Sequence, residues 1–438
     1  LDAEQSVDEL QRGLINYFRG QYDLANEAFD RYMEGDGLEK DKALYYQALA
    51  ARAKGLELYA FHSEERFALN QISGTPQDQT AIALWEQLVS DYPKSNYLSH
   101  AIEDIVYTQY QYMNRVDLAA QTALDYVSQQ PLSVYAPSLL FTAGRYLEIQ
   151  GKLEEAAQVW DRIAVNYPSS DQSFQGAFFA GILHYRRGDL TSSAASFNRA
   201  ILLALEPLES AGAYLWLGKL SQAAGDLDKA RAYWNSAAQV DPAGYYGLRA
   251  VELAENKPPF ASPEALDLRI DLVNARQVAA AWMRTSFNLP PQVNLDYSPE
   301  LWNDPRFVRA QEYWSLGLYT QARLEFESLR IDNRLDVLNS FRLLKAFLDY
   351  GFYASAIETS QTIATLAGYS DIALADNLPA YFRYVYYGTY YLTWVQDAAE
   401  TYDLPVLVLF SLIHQESRFQ PFAQSSAGAQ GLLQLMPQ

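Results

Sequence analysis

The residues near the C-terminus carry the most chemistry for their number. The stretch HQESRFQPFAQSSAGAQGLLQLMPQ, His414 to Gln438, holds one acid, Glu416, ahead of a run rich in Gly, Ala, Ser and Gln. The segment leading into it, DLPVLVLFSLIHQESRF, reads as one helix. Asp403 is a candidate N-cap, and Pro405 falls in the first turn, where its missing N–H costs nothing. Leu409, Leu412, Ile413 and Glu416 follow helical spacing and share one face. Glu416 is therefore expected at the end of a buried stripe, where desolvation favours the neutral acid and raises its pKa. A glutamic acid protonated near neutral pH is what general-acid cleavage of a glycosidic bond requires. The plainer alternative is a half-exposed helix-end acid paired with Arg418.

Other chemistries are disfavoured by composition. The 438 residues contain no cysteine, which removes disulfides, thiolate zinc sites and thiol nucleophiles. Four scattered histidines, with His414 on a different helical face from Glu416, do not suggest a metal site, and no cofactor is expected. The GAQG run follows a helix, not a strand, so it is no nucleotide fingerprint. Thirty-three Lys and Arg against 53 Asp and Glu leave a net charge of −20, which argues against a nucleic-acid partner. No apolar run reaches the roughly 18 residues that a transmembrane helix needs. The chain opens on Leu1 instead of Met, as a processed export signal or a trimmed chain would.

The elements that must position this segment are repeats. Asn114, Gly151, Gly188 and Gly225 recur every 37 residues. Ala119, Ala156 and Ala230 stand five residues after three of them, and Trp160, Phe197 and Trp234 stand nine after the glycines. Pro131, Pro168 and Pro242 close three of the copies. Looser copies surround Trp85 with Pro93, and Gly20 with Ala25 and Phe29. The Gly supplies the positive φ that ends one helix, and the Ala lets two helices approach. The aromatic fills the space beside the pair, and the Pro stops the second helix. This period is that of paired helices stacked as a solenoid similar to the tetratricopeptide repeat.

The pattern fades near Pro258, Pro259 and Pro263. One helix, roughly Glu264 to Phe287, is expected before a second break at Asn288 to Pro299. Pairing resumes with Gly317, Ala322 and Phe326, then Gly351 and Ala356. A Tyr-rich helix over Tyr381 to Glu400 follows, whose tyrosines are read as packing residues before sugar-stacking ones. The predicted class is all-α: a tetratricopeptide-like solenoid over 1–250, a Pro-rich linker with one helix over 251–300, further pairs over 301–400, and a distinct segment over 401–438.

That last segment resembles, without a gap, the signature of the soluble lytic transglycosylases. The matching positions are Glu416, Ser417, Phe419, Pro421, Ala423, Ser425, Gly428, Ala429, Gly431, Leu432, Gln434, Met436 and Pro437. The resemblance implies the start of a lysozyme-like catalytic domain behind a helical superhelix. It implies cleavage of the β-1,4 bond between N-acetylmuramic acid and N-acetylglucosamine in peptidoglycan glycan strands, giving 1,6-anhydro products. It further implies Glu416 as the sole acid and base, with Ser417 helping to hold it and Gly428 to Gln434 forming a cleft wall. Ser417, Ser425, Gly431, Leu433 and Gln434 are thereby the implied substrate-binding residues, Leu433 replacing the family's usual Met. No second carboxylate lies within the signature, whereas ordinary glycosidases use a pair. An exported protein of the periplasm or cell envelope is implied. The family's domain continues beyond this point, so the chain as given is expected to be inactive alone. The competing reading is a scaffold whose concave face binds a protein or peptide partner and whose terminal segment is a remnant.

Overall fold

A computed structural model describes residues 8–60, 74–259, 267–373, 375, 377–425 and 427–437. Among the described residues there are 22 helices and no strand beyond isolated bridges in the last turn-rich segment. The all-α expectation and the helical pairing hold. The chain forms two compact units, Leu1–Asn256 and Lys257–Gln438.

In the first unit the 37-residue repeat is a pair of antiparallel helices. Ala136–Ile149 pairs with Leu153–Asn166, Ser173–Arg186 with Leu190–Leu203, and Pro207–Ala223 with Leu227–Val240. Gly151 lies just past the first helix at φ 77°, and a Cβ there would meet open space. Its requirement is therefore the left-handed backbone, not room. The Lys152 N–H closes the turn on the Leu147 carbonyl at 2.9 Å, as Asp189 does on His184 and Asp226 on Ser221.

In four of the pairs the aromatic packs on a glycine that the sequence reading did not single out. A Cβ on Gly144 would stand 2.2 Å from Trp160 Nε1, and the same partnership joins Gly13 to Phe29, Gly181 to Phe197 and Gly218 to Trp234. Each aromatic lies 16 residues after its glycine. The missing side chain lets the large ring sink fully into the core, and the indole N–H is satisfied by a backbone carbonyl. Trp160 donates to Phe141 at 3.1 Å and Trp234 to Leu215 at 3.2 Å. At the one repeat with Ser193 in place of Ala, the hydroxyl donates to the Gly181 carbonyl at 2.7 Å. The small residue thus remains, with its polar atom paired.

In the second unit the helix after the Pro-containing break runs Leu272–Ser286, shorter than expected, because Asp271 caps it by accepting from the Asn274 N–H. Pro263 and Glu264 lie outside the described residues. Tyr319–Asp332, Val337–Tyr350 and Tyr353–Leu366 continue the pairing, with Ala322, Phe326 and Ala356 fully buried at the expected offsets. The Tyr-rich stretch is not one helix. It is two, Ala380–Tyr386 and Leu392–Thr401, parted at Tyr391, which takes φ 61°. Tyr353 stacks on Tyr390 at 3.9 Å and meets Tyr391 edge-on, and Tyr390 donates to the Val385 carbonyl at 2.9 Å. Tyr381 and Tyr390 are buried as packing residues, while Tyr384 and Tyr387 stay exposed. No described helix is long and apolar enough to cross a membrane.

Candidate active site

The helix that carries the candidate acid runs Val406–Ser417. Pro405, not Asp403, is its N-cap residue. Asp403 instead takes φ 52° and ends the preceding helix, with the Leu404 N–H bonded to the Ala399 carbonyl at 2.9 Å. Aspartate tolerates the left-handed region better than most residues, so the short acid is spent on stopping one helix before it can start another.

Leu409, Phe410, Ile413 and Ser417 form the buried face of this helix. Leu409, Phe410 and Ile413 pack with Tyr390, Val395, Ala399 and Phe419. Leu412 and Glu416 occupy the neighbouring row and are both exposed. The expected burial of Glu416 is therefore corrected: the apolar stripe is centred on Leu409 and Ile413 and drifts toward Ser417, leaving the acid on the open side. Among the described residues its carboxylate takes part in no hydrogen bond or ion pair. It is a free, solvent-facing acid at the last turn. The pairing with Arg418 does not occur either, because Arg418 reaches Glu358 on the Tyr353–Leu366 helix.

Ser417 is buried, and its hydroxyl donates to the Ile413 carbonyl at 3.1 Å, so it ties into its own helix. The chain then leaves the helix abruptly. Arg418 and Phe419 take φ 48° and 62°, two consecutive left-handed residues without glycine. Phe419 is pinned by burial against Tyr390, Phe410 and His414. His414 bonds the Tyr386 carbonyl through Nε2 at 3.1 Å, and burial pushes its pKa below the usual imidazole range. It is held as a neutral packing group. Gln420 is buried with neither its amide N–H nor its carbonyl partnered, which marks it as a residue the sequence reading missed.

The glycine-rich run folds on itself. The Ser425 hydroxyl accepts from the Ala429 N–H at 3.0 Å, and the Ser425 N–H donates to the Ala429 carbonyl at 2.9 Å. Gly431 donates to the Ala423 carbonyl at 3.0 Å. The Gln434 amide nitrogen donates to Ala423 at 3.0 Å and to Gly431 at 2.8 Å. Gly428 and Gly431 take φ 90° and 79°, where side chains fit poorly. The structure thus brings Ser425, Gly431 and Gln434 together as one knitted turn. Gln434 spends its amide donors inside that turn. Leu433 projects to solvent.

On the flank of the Glu416 helix lies a polar cavity of about 440 Å3, lined by Arg330, Glu358, Tyr386, His414, Gln415 and Arg418. Arg330 and Glu358 sit on repeat helices and belong to no motif, so sequence spacing offered no signal for them.

Comparisons with known proteins match two stretches of the chain. Residues 393–438 match the family model described as the transglycosylase SLT domain, and residues 179–245 match that of a tetratricopeptide repeat. No curated protein matches the chain. Among solved structures, an inactive mutant of the lytic transglycosylase Slt from Pseudomonas aeruginosa is 16% identical, with 98% of this chain and 69% of that one covered at a TM-score of 0.39. The 70 kDa soluble lytic transglycosylase Slt70 from Escherichia coli is 12% identical, covering 99% and 81%, at a TM-score of 0.28. BtubC from P. vanneervenii is 16% identical, covering 60% and 98%, at a TM-score of 0.33. These structural likenesses are too distant to assign an activity. The match over 393–438 contains the whole signature from Glu416 to Pro437.

Proposed function

We propose that this protein is a peptidoglycan lytic transglycosylase of the cell envelope, with Glu416 as general acid and then base. The observation that carries the reading is the ungapped SLT signature on a helix end where one carboxyl group faces outward, unpaired, ahead of a knitted glycine-rich turn. In this reaction the protonated Glu416 gives its proton to the oxygen of the β-1,4 bond as the bond to C1 of N-acetylmuramic acid breaks. The sugar's own 6-hydroxyl then attacks C1, and the Glu416 carboxylate takes the hydroxyl proton. A 1,6-anhydro ring closes, no water is consumed, and Glu416 returns to its acid form. One carboxyl group therefore suffices, where hydrolysis by the ordinary route uses two. Ser425, Gly431, Leu433 and Gln434 form the adjoining wall, and Ser417 fixes the helix end beneath.

The test is product chemistry. The full encoded protein is incubated with purified peptidoglycan in water enriched in oxygen-18, and the muropeptides are read by mass spectrometry. The expected products are anhydro-muropeptides without the heavy label. Labelled reducing ends would show hydrolysis and refute the proposal.

A further inference from the structure

We propose that Glu358 is a positioning residue for this chemistry, acting through Arg418; the proposal rests on the reading of Glu416 above. Arg418 and Phe419 hold left-handed backbone directly after the Glu416–Ser417 helix end. Such conformations cost about 1–2 kcal/mol per residue and persist only where neighbours impose them. Burial imposes the one at Phe419. The Arg418 side chain is half exposed, and its partner is the Glu358 carboxylate, which receives Arg418 Nη1 on one oxygen.

Glu358 is itself braced. Its other oxygen takes Arg330 Nη2 at 2.7 Å. Arg330 Nε bonds Glu327 at 2.8 Å, and the second Glu327 oxygen accepts from the Ser355 hydroxyl at 2.5 Å. A continuous line of charged groups thus runs from the packed repeat helices to the turn behind the acid. An isolated exposed ion pair contributes roughly 0.2–1 kcal/mol, less than the strain at Arg418, so it sets the turn geometry together with the burial of Phe419 and is too weak to decide folding.

A second contact supports the same role. Phe422 stacks on Tyr319, at the start of the Tyr319–Asp332 helix, with centroids 4.1 Å apart and planes at 13°. The chain between the acid and the glycine-rich turn is therefore fastened at residue 418 by one repeat helix and at residue 422 by another. Ala423, the next residue, is the carbonyl on which both Gly431 and Gln434 hang. What holds Arg418 and Phe422 sets how the knitted turn faces Glu416. The repeat helices act here as the floor of the site, not as a spacer.

The experiment compares wild type, Glu358→Gln, Arg418→Gln and the double variant of the full encoded protein on soluble glycan strands. Each single change is expected to lower kcat about tenfold with KM within about twofold, since misplacement of catalytic groups acts on the chemical step. Tm is expected to stay within about 3 °C. The double variant is expected to be no slower than the slower single, because both changes cut one line. Amide hydrogen exchange over residues 418–435 is expected to quicken in both singles while that of Val406–Ser417 does not. An active wild type with unchanged kcat and exchange in Glu358→Gln overturns the proposal, as do multiplicative losses in the double variant. Absence of anhydro products from wild type instead overturns the reading of Glu416, and is seen in that arm alone. Should Glu358→Gln melt early, the exchange and kcat of Arg418→Gln decide the matter.

Discussion

The turn at Gly151 and the turn at Arg418 share a backbone geometry and differ in everything else. Both follow a helix and both take positive φ, 77° and 48°. At Gly151 the residue type removes the strain, the surroundings are empty, and the same choice recurs at Gly188 and Gly225. At Arg418 a long charged residue sits where glycine would be comfortable, and a buried Phe419 repeats the strain. In the repeats the local sequence makes the turn. Beside Glu416 the surrounding helices impose it, through Glu358 on Arg418 and through the aromatic cluster on Phe419. Strain retained next to a free carboxylate is the pattern expected where geometry serves chemistry more than stability.

Two substitutions would break or sharpen this contrast. Gly151→Ala is expected to destabilise by about 1 kcal/mol, read by urea unfolding, since its Cβ meets no atom and only the left-handed backbone is penalised. A neutral result would mean that the repeat turns do not depend on glycine. Arg418 is expected to respond in the opposite sense. Arg418→Gly should be more stable than Arg418→Gln by about 0.5–1 kcal/mol, because both lose the ion pair and only glycine relieves the backbone. Equal stabilities would mean that this turn carries no strain.

The same contrast explains what could be read from the sequence. The repeat turns, the buried Ala119, Ala156 and Ala230, and the prolines after the second helices were legible, because each residue acts within its own helix pair. The glycine under Phe29, Trp160, Phe197 and Trp234 was missed although its spacing is as regular. Its reason lies in the contact of Gly144 with Trp160, which periodicity alone does not announce. In the terminal segment the helix was legible but its rotation was not. A stripe of Leu409, Leu412 and Ile413 specifies an apolar side, while the covering residues Tyr390, Val395 and Ala399 decide where that side ends. They end it before Leu412 and Glu416. Asp403 was read as a helix start, and its left-handed backbone makes it a helix stop. The line from Ser355 to Arg418 had no local signal, since Glu358 and Arg418 are 60 residues apart.

The central claim is that one exposed carboxyl group performs both proton transfers. Its direct measurement is the rate of anhydro-muropeptide release by the full encoded protein and by its Glu416→Gln variant, with thermal melts run alongside. Glutamine preserves shape at an exposed position, so the melts are expected to coincide. Loss of the acid and base should slow release by about 10²–10⁴-fold. A variant that releases the same products within about threefold of the wild-type rate would contradict the account.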